Sequence, residues 1–483
     1  MDCGRGLHRG HRARRPVLAD RPGDRGWRAA RHPTRRFASA LLSPGCVAPG
    51  GAGGQHDLRA FAVKKSNGPM TSKTSPGGQL PVTFSALRYP NFRRWFIGQA
   101  LSLMGSWMQW VAQGWVVYEL TGSKLALGTI SFIGSVPTLF LMLPAGAVAD
   151  RIPKRRLMLI TQSAMMVLAL ALAALAATGL LQVWHIAVLA FCSGIANSFD
   201  APARQSLAVE MVEDRRDLQN AVALNSTMFN LARIVGPAIG GYVLAFLGSA
   251  WCFALNGLSF VAVLVALAGM RLPGVVQASR SEHLLKQVNV GLRYVWDTAL
   301  VRSLIALVGV SSLFGFFYSV LMPVFAAEVL AVGEAGLGAL NAAVGAGALV
   351  GSLTVASLTR SRHKSVLLYI GSLIFPVALI VFAFSRSFSA SLACLVVVGF
   401  GFISQGATAN TLVQSIVPDE LRGRVMSVYS LVFFGTAPFS SLLAGSLAQA
   451  FGPTAAVLTG AVVTLACALF LLMTSQGLRT AAR

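Results

Sequence analysis

The chain has 483 residues, 55% hydrophobic and only 12% charged, with a mean hydropathy of +0.65. Soluble domains carry roughly 25% charged residues, so this composition excludes an ordinary cytosolic enzyme and, over most of the length, intrinsic disorder. The 40 Lys and Arg against 17 Asp and Glu give a formal charge of +23, which alone suits either nucleic acid or an anionic membrane.

Residues 1–69 hold 14 basic and 4 acidic residues, a net of +10, with dense Gly and Pro and no sustained apolar run. Nothing there resembles the apolar core of a secretory signal. Arg31, Arg35, Arg36, Phe37, Ala38 and Ser39 have a transit-peptide flavour, but the Gly and Pro content opposes the amphipathic helix such a peptide needs. Residues 1–82 are therefore expected to be a disordered basic leader outside the fold, with Met70 as the expected natural start.

Apolar segments follow at 93–118, 125–148, 157–180, 183–203, 219–247 and 250–270, then at 302–327, 335–358, 365–384, 388–410, 424–448 and 454–474. Each is long enough to cross a bilayer as a helix. With the N-terminus inside, 23 of the 26 basic residues beyond residue 69 fall on the cytoplasmic side; Lys124 and Arg386 fall outside and Arg233 lies within a span. The positive-inside rule demands that asymmetry, and shifting the count by one helix destroys it. The reading is an all-α membrane protein with twelve transmembrane helices and both termini cytoplasmic. Its charge is then an orientation signal, and a nucleic-acid partner loses its support.

The spans form two six-helix pseudo-repeats, 83–270 and 302–475, ending in a tail at 476–483. Gly146 and Gly351, Asp214 and Asp419, and Gly240 and Gly445 are each 205 residues apart, and Gly248 and Gly452 are 204 apart. The linker at 271–301 sets Leu284, Leu285, Val288, Leu292 and Val295 on one face, opposite Lys286 and Arg293, a pattern for an amphipathic helix at the membrane surface. Cys192, Cys252, Cys394 and Cys467 lie in apolar spans; no metal or disulfide framework and no cofactor is indicated.

Between spans 2 and 3 the chain reads Gly146-Ala-Val-Ala-Asp150-Arg151-Ile-Pro-Lys154-Arg155-Arg156. This resembles the major facilitator superfamily, whose loop motif runs G-x-L-A-D-R-x-G-R-R. The resemblance implies a cytoplasmic gate docked against the start of span 11, here Arg422, Gly423 and Arg424, with glycine letting helices approach. Pro153 and Val148 depart from the motif, and the second-half copy keeps Gly351 but has Val355 in the acidic position. Span 5 carries Arg233-Ile-Val-Gly236-Pro237-Ala-Ile-Gly240-Gly241. That run resembles the superfamily's antiporter motif, with Ala232 in place of an earlier glycine, and implies a bend and a close helix contact. Asn197 to Gln205, Asn220 to Ser226, Gly291 to Tyr294 and Pro418 to Ser427 look like the branch that includes the bacterial enterobactin exporter and drug-efflux proteins. The likeness covers about residues 84–475.

Gln99, Ser102, Ser106, Gln109 and Gln113 recur at steps of 3 and 4 on one face of span 1, and Ser404, Thr408, Thr411 and Ser415 do so on span 10. Such faces either line a cavity or bond between helices. The cavity candidates are Gln109, Gln113, Asn225, Asn230 and Thr408. Asp200 and Arg204, one turn apart, suit a gate network with Asp150 and Arg151 or a structural ion pair. Arg233 is the deep charge and needs a partner or a wet cavity. The resemblance implies proton-coupled transport, for which Asp200, Glu119 and Glu328 are the available carboxylates. It also implies alternating access by a monomer of the bacterial inner membrane on the major facilitator fold, exporting a small amphipathic molecule such as a siderophore or drug. An importer on the same fold, or a non-transporting receptor, remains open. No Walker loop or catalytic cluster supports an enzyme.

Overall fold

The structure is a computed structural model that describes residues 82–212, 214–270, 284–358 and 364–474. The expected leader up to residue 81, the first part of the linker and the tail lie outside the described residues. After a 3-10 turn at Val82–Arg88, the first six helices are α1 (Pro90–Thr121), α2 (Lys124–Arg151), α3 (Lys154–Ala177), α4 (Val183–Glu210), α5 (Arg215–Leu247) and α6 (Ser249–Ala268). A linker helix, α7 (Leu284–Asp297), precedes the second set. There the seventh span is broken into α8 (Ala299–Leu313), α9 (Phe317–Val324) and a π turn at Phe325–Val329. Then come α10 (Gly333–Ser357), α11 (Lys364–Phe384) and α12 (Phe388–Ile416). The eleventh span is α13 (Asp419–Gly435) and α14 (Ala437–Phe451), and α15 (Pro453–Thr474) closes the fold. No strand occurs among the described residues.

Among the described residues, eleven stretches are long and apolar enough to cross a membrane. The helix outside that set is α1, because its glutamines and serines dilute its hydropathy. Its 32 residues reach about 48 Å at 1.5 Å per residue, ample for a hydrocarbon core of about 30 Å.

Local chemistry fixes the ends. Gly122, at φ 59, ends α1, and the Ser123 hydroxyl accepts the Ala126 amide at 3.2 Å to begin α2. Gly248 and Gly452 hold φ of 84 and 88 immediately before α6 and α15. The pair matched at an offset of 204 thus makes the same left-handed corner in each half, a conformation that favours glycine.

Small residues set the packing, as expected where lipid supplies no hydrophobic drive between helices. A Cβ at Gly98 would lie 2.8 Å from the Ala262 carbonyl, so α1 and α6 meet almost backbone to backbone. In the second set, a Cβ at Gly399 would lie 2.0 Å from the Val344 oxygen, binding α10 to α12. Helices α1 to α6 gather into one group and α8 to α15 into the other, joined along two seams, α5 with α10 and α2 with α14. The linker helix lies on α13, where a Cβ at Gly291 would sit 2.5 Å from the Arg424 carbonyl. Val295 is buried there, while Trp296 is 69% exposed.

Candidate functional site: a cleft closed at one end

The two seams are tight only away from the end that carries the basic loops. Along α5 and α10, a Cβ on Gly241 or Gly338 would come within 2.7 Å of the other's Cα, and one on Gly345 would meet the Arg233 carbonyl at 2.9 Å. Along α2 and α14, a Cβ on Gly128 would lie 2.9 Å from the Gly445 Cα, and the Phe132 and Phe439 rings meet edge to face at 6.5 Å.

Polar groups finish the charge-poor end. Glu328 on the π turn pairs with Lys124 Nζ at 3.0 Å and accepts a hydrogen bond from the Tyr118 hydroxyl. Gln449 Oε1 accepts the Lys124 amide at 3.0 Å, capping α2 from the other group. These contacts tie α1 and α2 to the seventh and eleventh spans.

Inside that closure lies a small cleft, partly open to solvent, between α1, α2, α9 and α10. Trp110, Gln113, Ser131, Ser319 and Asn341 give it polar and aromatic walls without a carboxylate. The break in the seventh span places Ser319 and Pro323 at this wall, in keeping with the discontinuous helices at transporter sites.

Towards the basic end the seams part. Val222, Ser226, Phe229, Arg233, Pro237 and Gly241 share one face of α5. Above Arg233 that face is covered; below it Val222 is 51% and Phe229 41% exposed. Arg233 therefore stands at the fork. Its guanidinium lies 5.7 Å from the Trp107 ring centroid, and Trp107 meets Phe229 and Trp110 edge-on. Near the basic loops, a Cβ at Gly146 or Gly423 would meet nothing within 4 Å. The close approach expected of Gly146 is absent in this conformation, because the seam opens below the contact of Leu139 with Gly435.

The remaining candidates distribute as follows. Arg151 is exposed, and the Asp150 side chain lies outside the described residues. Lys154 pairs with Glu210 at 2.5 Å, fastening α3 to α4. Arg155 donates to the carbonyls of Leu267 at 2.7 Å and Ala268 at 2.9 Å, capping α6. Arg422 pairs with Asp419 at 2.5 Å and donates to the Gln414 carbonyl at 3.1 Å. Asp200 is 1% exposed and accepts from Thr161 and Gln162 on α3, each at 2.9 Å, with Arg204 3.9 Å away. It faces its own bundle. Gly236 and Gly240 press on Met104 and Met108 of α1, and α5 runs as one helix through Pro237.

Two cavity expectations are corrected. Gln109 accepts from Asn256 of α6 at 2.6 Å. It continues the Gly98 and Gly105 line on which α6 sits, so it points into the bundle. Thr408 is 2% exposed within the second group; Gly351 and Gly371 draw α10 and α11 so close to Ser404 that this face of α12 is enclosed. Gln113 does line the cleft. Asn225 and Asn230 are part-exposed on α5, and Asn230 donates to the Ser226 carbonyl at 2.9 Å. Glu119 is exposed at the charge-poor end of α1. The residues unforeseen in the sequence are Tyr118, Lys124 and Gln449 at the closure, Trp110, Ser319 and Asn341 at the cleft, and Trp107 beside Arg233. Of these, only the Trp107 and Trp110 pair, spaced by three on a polar helix, gave a signal.

Two six-helix groups meeting at glycine seams around a central cleft define a multi-pass secondary transporter of the major facilitator type. The chain belongs to the family of transmembrane secretion effectors, which it matches over residues 81–481. It is similar to the multidrug efflux pump Tap of Mycolicibacterium fortuitum, at 30% identity over 71% of this chain and 85% of that one. The enterobactin exporter EntS of Shigella boydii is 25% identical over 76% of this chain and 87% of its own. Among solved structures, a bacterial homologue of the human lysosomal transporter Spinster, inward-facing and unoccupied, superposes with a TM-score of 0.63 at 14% identity. That match covers 84% of this chain and 98% of the other.

Proposed function

We propose that this transporter is a proton-driven exporter of small amphipathic molecules, acting as a monomer in the bacterial cytoplasmic membrane with its basic end and both termini inside. The observation that carries the reading is the one-sided closure: the glycine seams and the Glu328 latch shut the charge-poor end, while the face of α5 below Arg233 lies open. By the positive-inside rule the open end is cytoplasmic, so the cleft stands ready to load from within. The drug and siderophore exporters among its relatives support the same direction.

Export then requires the Gly241–Gly338 and Gly128–Gly445 contacts to part while the basic end closes around Gly146, Asp150, Arg422 and Arg424. Glu328 is the carboxylate best placed for proton coupling, because it joins the two groups. Protonating it removes the charge that holds Lys124 and loosens the outer closure. Asp200 serves less directly, through the α3–α4 packing, and Glu119 is the third candidate.

The test is transport into everted membrane vesicles given an imposed proton gradient, with siderophores and common drugs as substrates. Gradient-dependent uptake is expected. Uptake by right-side-out vesicles instead would establish an importer, and movement in neither direction would leave a receptor.

A further inference from the structure

The charge at the fork assigns a substrate class. Arg233 makes no hydrogen bond or ion pair among the described residues; the groups that meet it are the Trp107 ring and the buried Tyr318 of α9. A guanidinium presents five N–H donors, and holding it within a span is costly unless an anion, carbonyl or water meets it. The other charges well inside the described spans, Asp200 and Arg204, pair with each other, and Asp200 is enclosed against α3. The cleft beyond the fork holds amides, hydroxyls and one indole but no carboxylate.

From the mouth to the fork, the open face of α5 is uncharged until Arg233, where the guanidinium sits among aromatic rings. Clefts of one sign with low-dielectric walls concentrate ions of the opposite sign. Trp107, Phe229 and Trp110 offer ring faces and edges beside the guanidinium, where a flat apolar body would rest while its anionic group engages Arg233. A cation would meet repulsion at Arg233, with no carboxylate in the lining of the cleft to receive it.

We infer that the cleft takes organic anions with an aromatic body, a carboxylate or a phenolate, and that Arg233 is the residue that selects them. The inference rests on the export reading of the same cleft. It also gives the inside-negative membrane potential a direct part, since an anion leaving the cell moves down that potential.

Everted vesicles holding the full chain test it with two dyes on one ring system, fluorescein as the anion and rhodamine 6G as the cation. The expected result is saturable fluorescein uptake and rhodamine 6G uptake near that of vesicles lacking the protein. A lumen-positive potassium diffusion potential raises fluorescein uptake. Arg233→Gln lowers it about ten-fold at equal membrane abundance, and Arg233→Lys raises the KM for fluorescein, because an ammonium lacks the planar fork. Should Arg233→Gln not reach the membrane, the Arg233→Lys result decides. Rhodamine 6G uptake with fluorescein excluded, or fluorescein kinetics unchanged in the Arg233 variants, overturns the anion assignment and leaves export standing. If neither dye moves and no siderophore or drug does either, the export reading itself fails, and the assignment with it.

Discussion

Gly241 of α5 and Gly338 of α10 touch so closely that a Cβ on either would lie 2.7 Å from the other's Cα. Gly128 and Gly445 repeat the contact across the second seam, at 2.8–2.9 Å. The two pairs are pseudo-symmetric, span 5 with span 8 and span 2 with span 11. Both lie towards the charge-poor end, so closure there depends on four missing side chains.

Gly338→Ala should therefore wedge the seam. Overpacking costs about 1–3 kcal/mol, which moves a two-state ratio about 5- to 150-fold. The protein is expected to favour the form open at the charge-poor end, with transport falling in proportion. Accessibility of a cysteine introduced at Ser319 to a membrane-impermeant thiol reagent, added from outside, measures the shift. Unchanged labelling and transport would show that the seam does not hold the closure.

The latch at Glu328 is expected to be weaker than the seams. Its pair with Lys124 is part-exposed, with side chains 41% and 20% accessible, and such pairs contribute about 0–1 kcal/mol. Lys124→Gln should change the open fraction by less than about five-fold and weaken the dependence of transport on the proton gradient, since Glu328 then has no ammonium to release. Glu328→Gln should abolish the response to a proton gradient, if this carboxylate carries the proton, while exchange without a gradient persists. Equal gradient dependence in Glu328→Gln and the unmodified protein removes Glu328 from the coupling.

Span positions, the repeat and the corner glycines were legible in the sequence because each depends on local chain chemistry. Apolar length makes a span, and a left-handed corner favours glycine. The direction of a polar side chain was not legible. In a soluble helix the polar face points to water; in this fold a polar stripe points equally well to a cleft or to a neighbouring helix. Gln109 and Gln113, four residues apart, show both outcomes: one bonds Asn256 and the other lines the cleft. The state of the gate was also hidden, since the same Gly146 serves a tight seam or an open one.

Asp200 offers a test of a buried polar network. Its carboxylate takes hydrogen bonds from Thr161 and Gln162 and lies beside Arg204. Asp200→Asn removes that charge and turns one acceptor into a donor. Asparagine keeps the oxygen that accepts from Thr161 and Gln162, so the loss, expected to be about 1–3 kcal/mol, is that of leaving Arg204 facing a donor in place of its carboxylate. A lowered Tm in detergent is the measurement, and an unchanged Tm would mean that the network contributes nothing to the bundle.

Arg155 separates fastening from gating. Its two bonds reach the last carbonyls of α6, at 2.7 and 2.9 Å, entirely within the first group of helices. Charge-assisted hydrogen bonds contribute about 1.5–3 kcal/mol, and the positive charge suits the negative end of a helix dipole. Arg155→Ala is therefore expected to lower Tm and membrane abundance, while transport per folded molecule stays within about two-fold, the scale of a surface-charge change of about 0.4 kcal/mol. Arg155→Lys should recover part of the stability, because one ammonium reaches one of the two carbonyls. A role in locking the basic end predicts the reverse: unchanged Tm, altered cysteine accessibility in the cleft, and slower transport by protein present at full abundance. The two outcomes differ in both readouts, so a single pair of variants assigns this residue of the loop motif either to the bundle or to the gate.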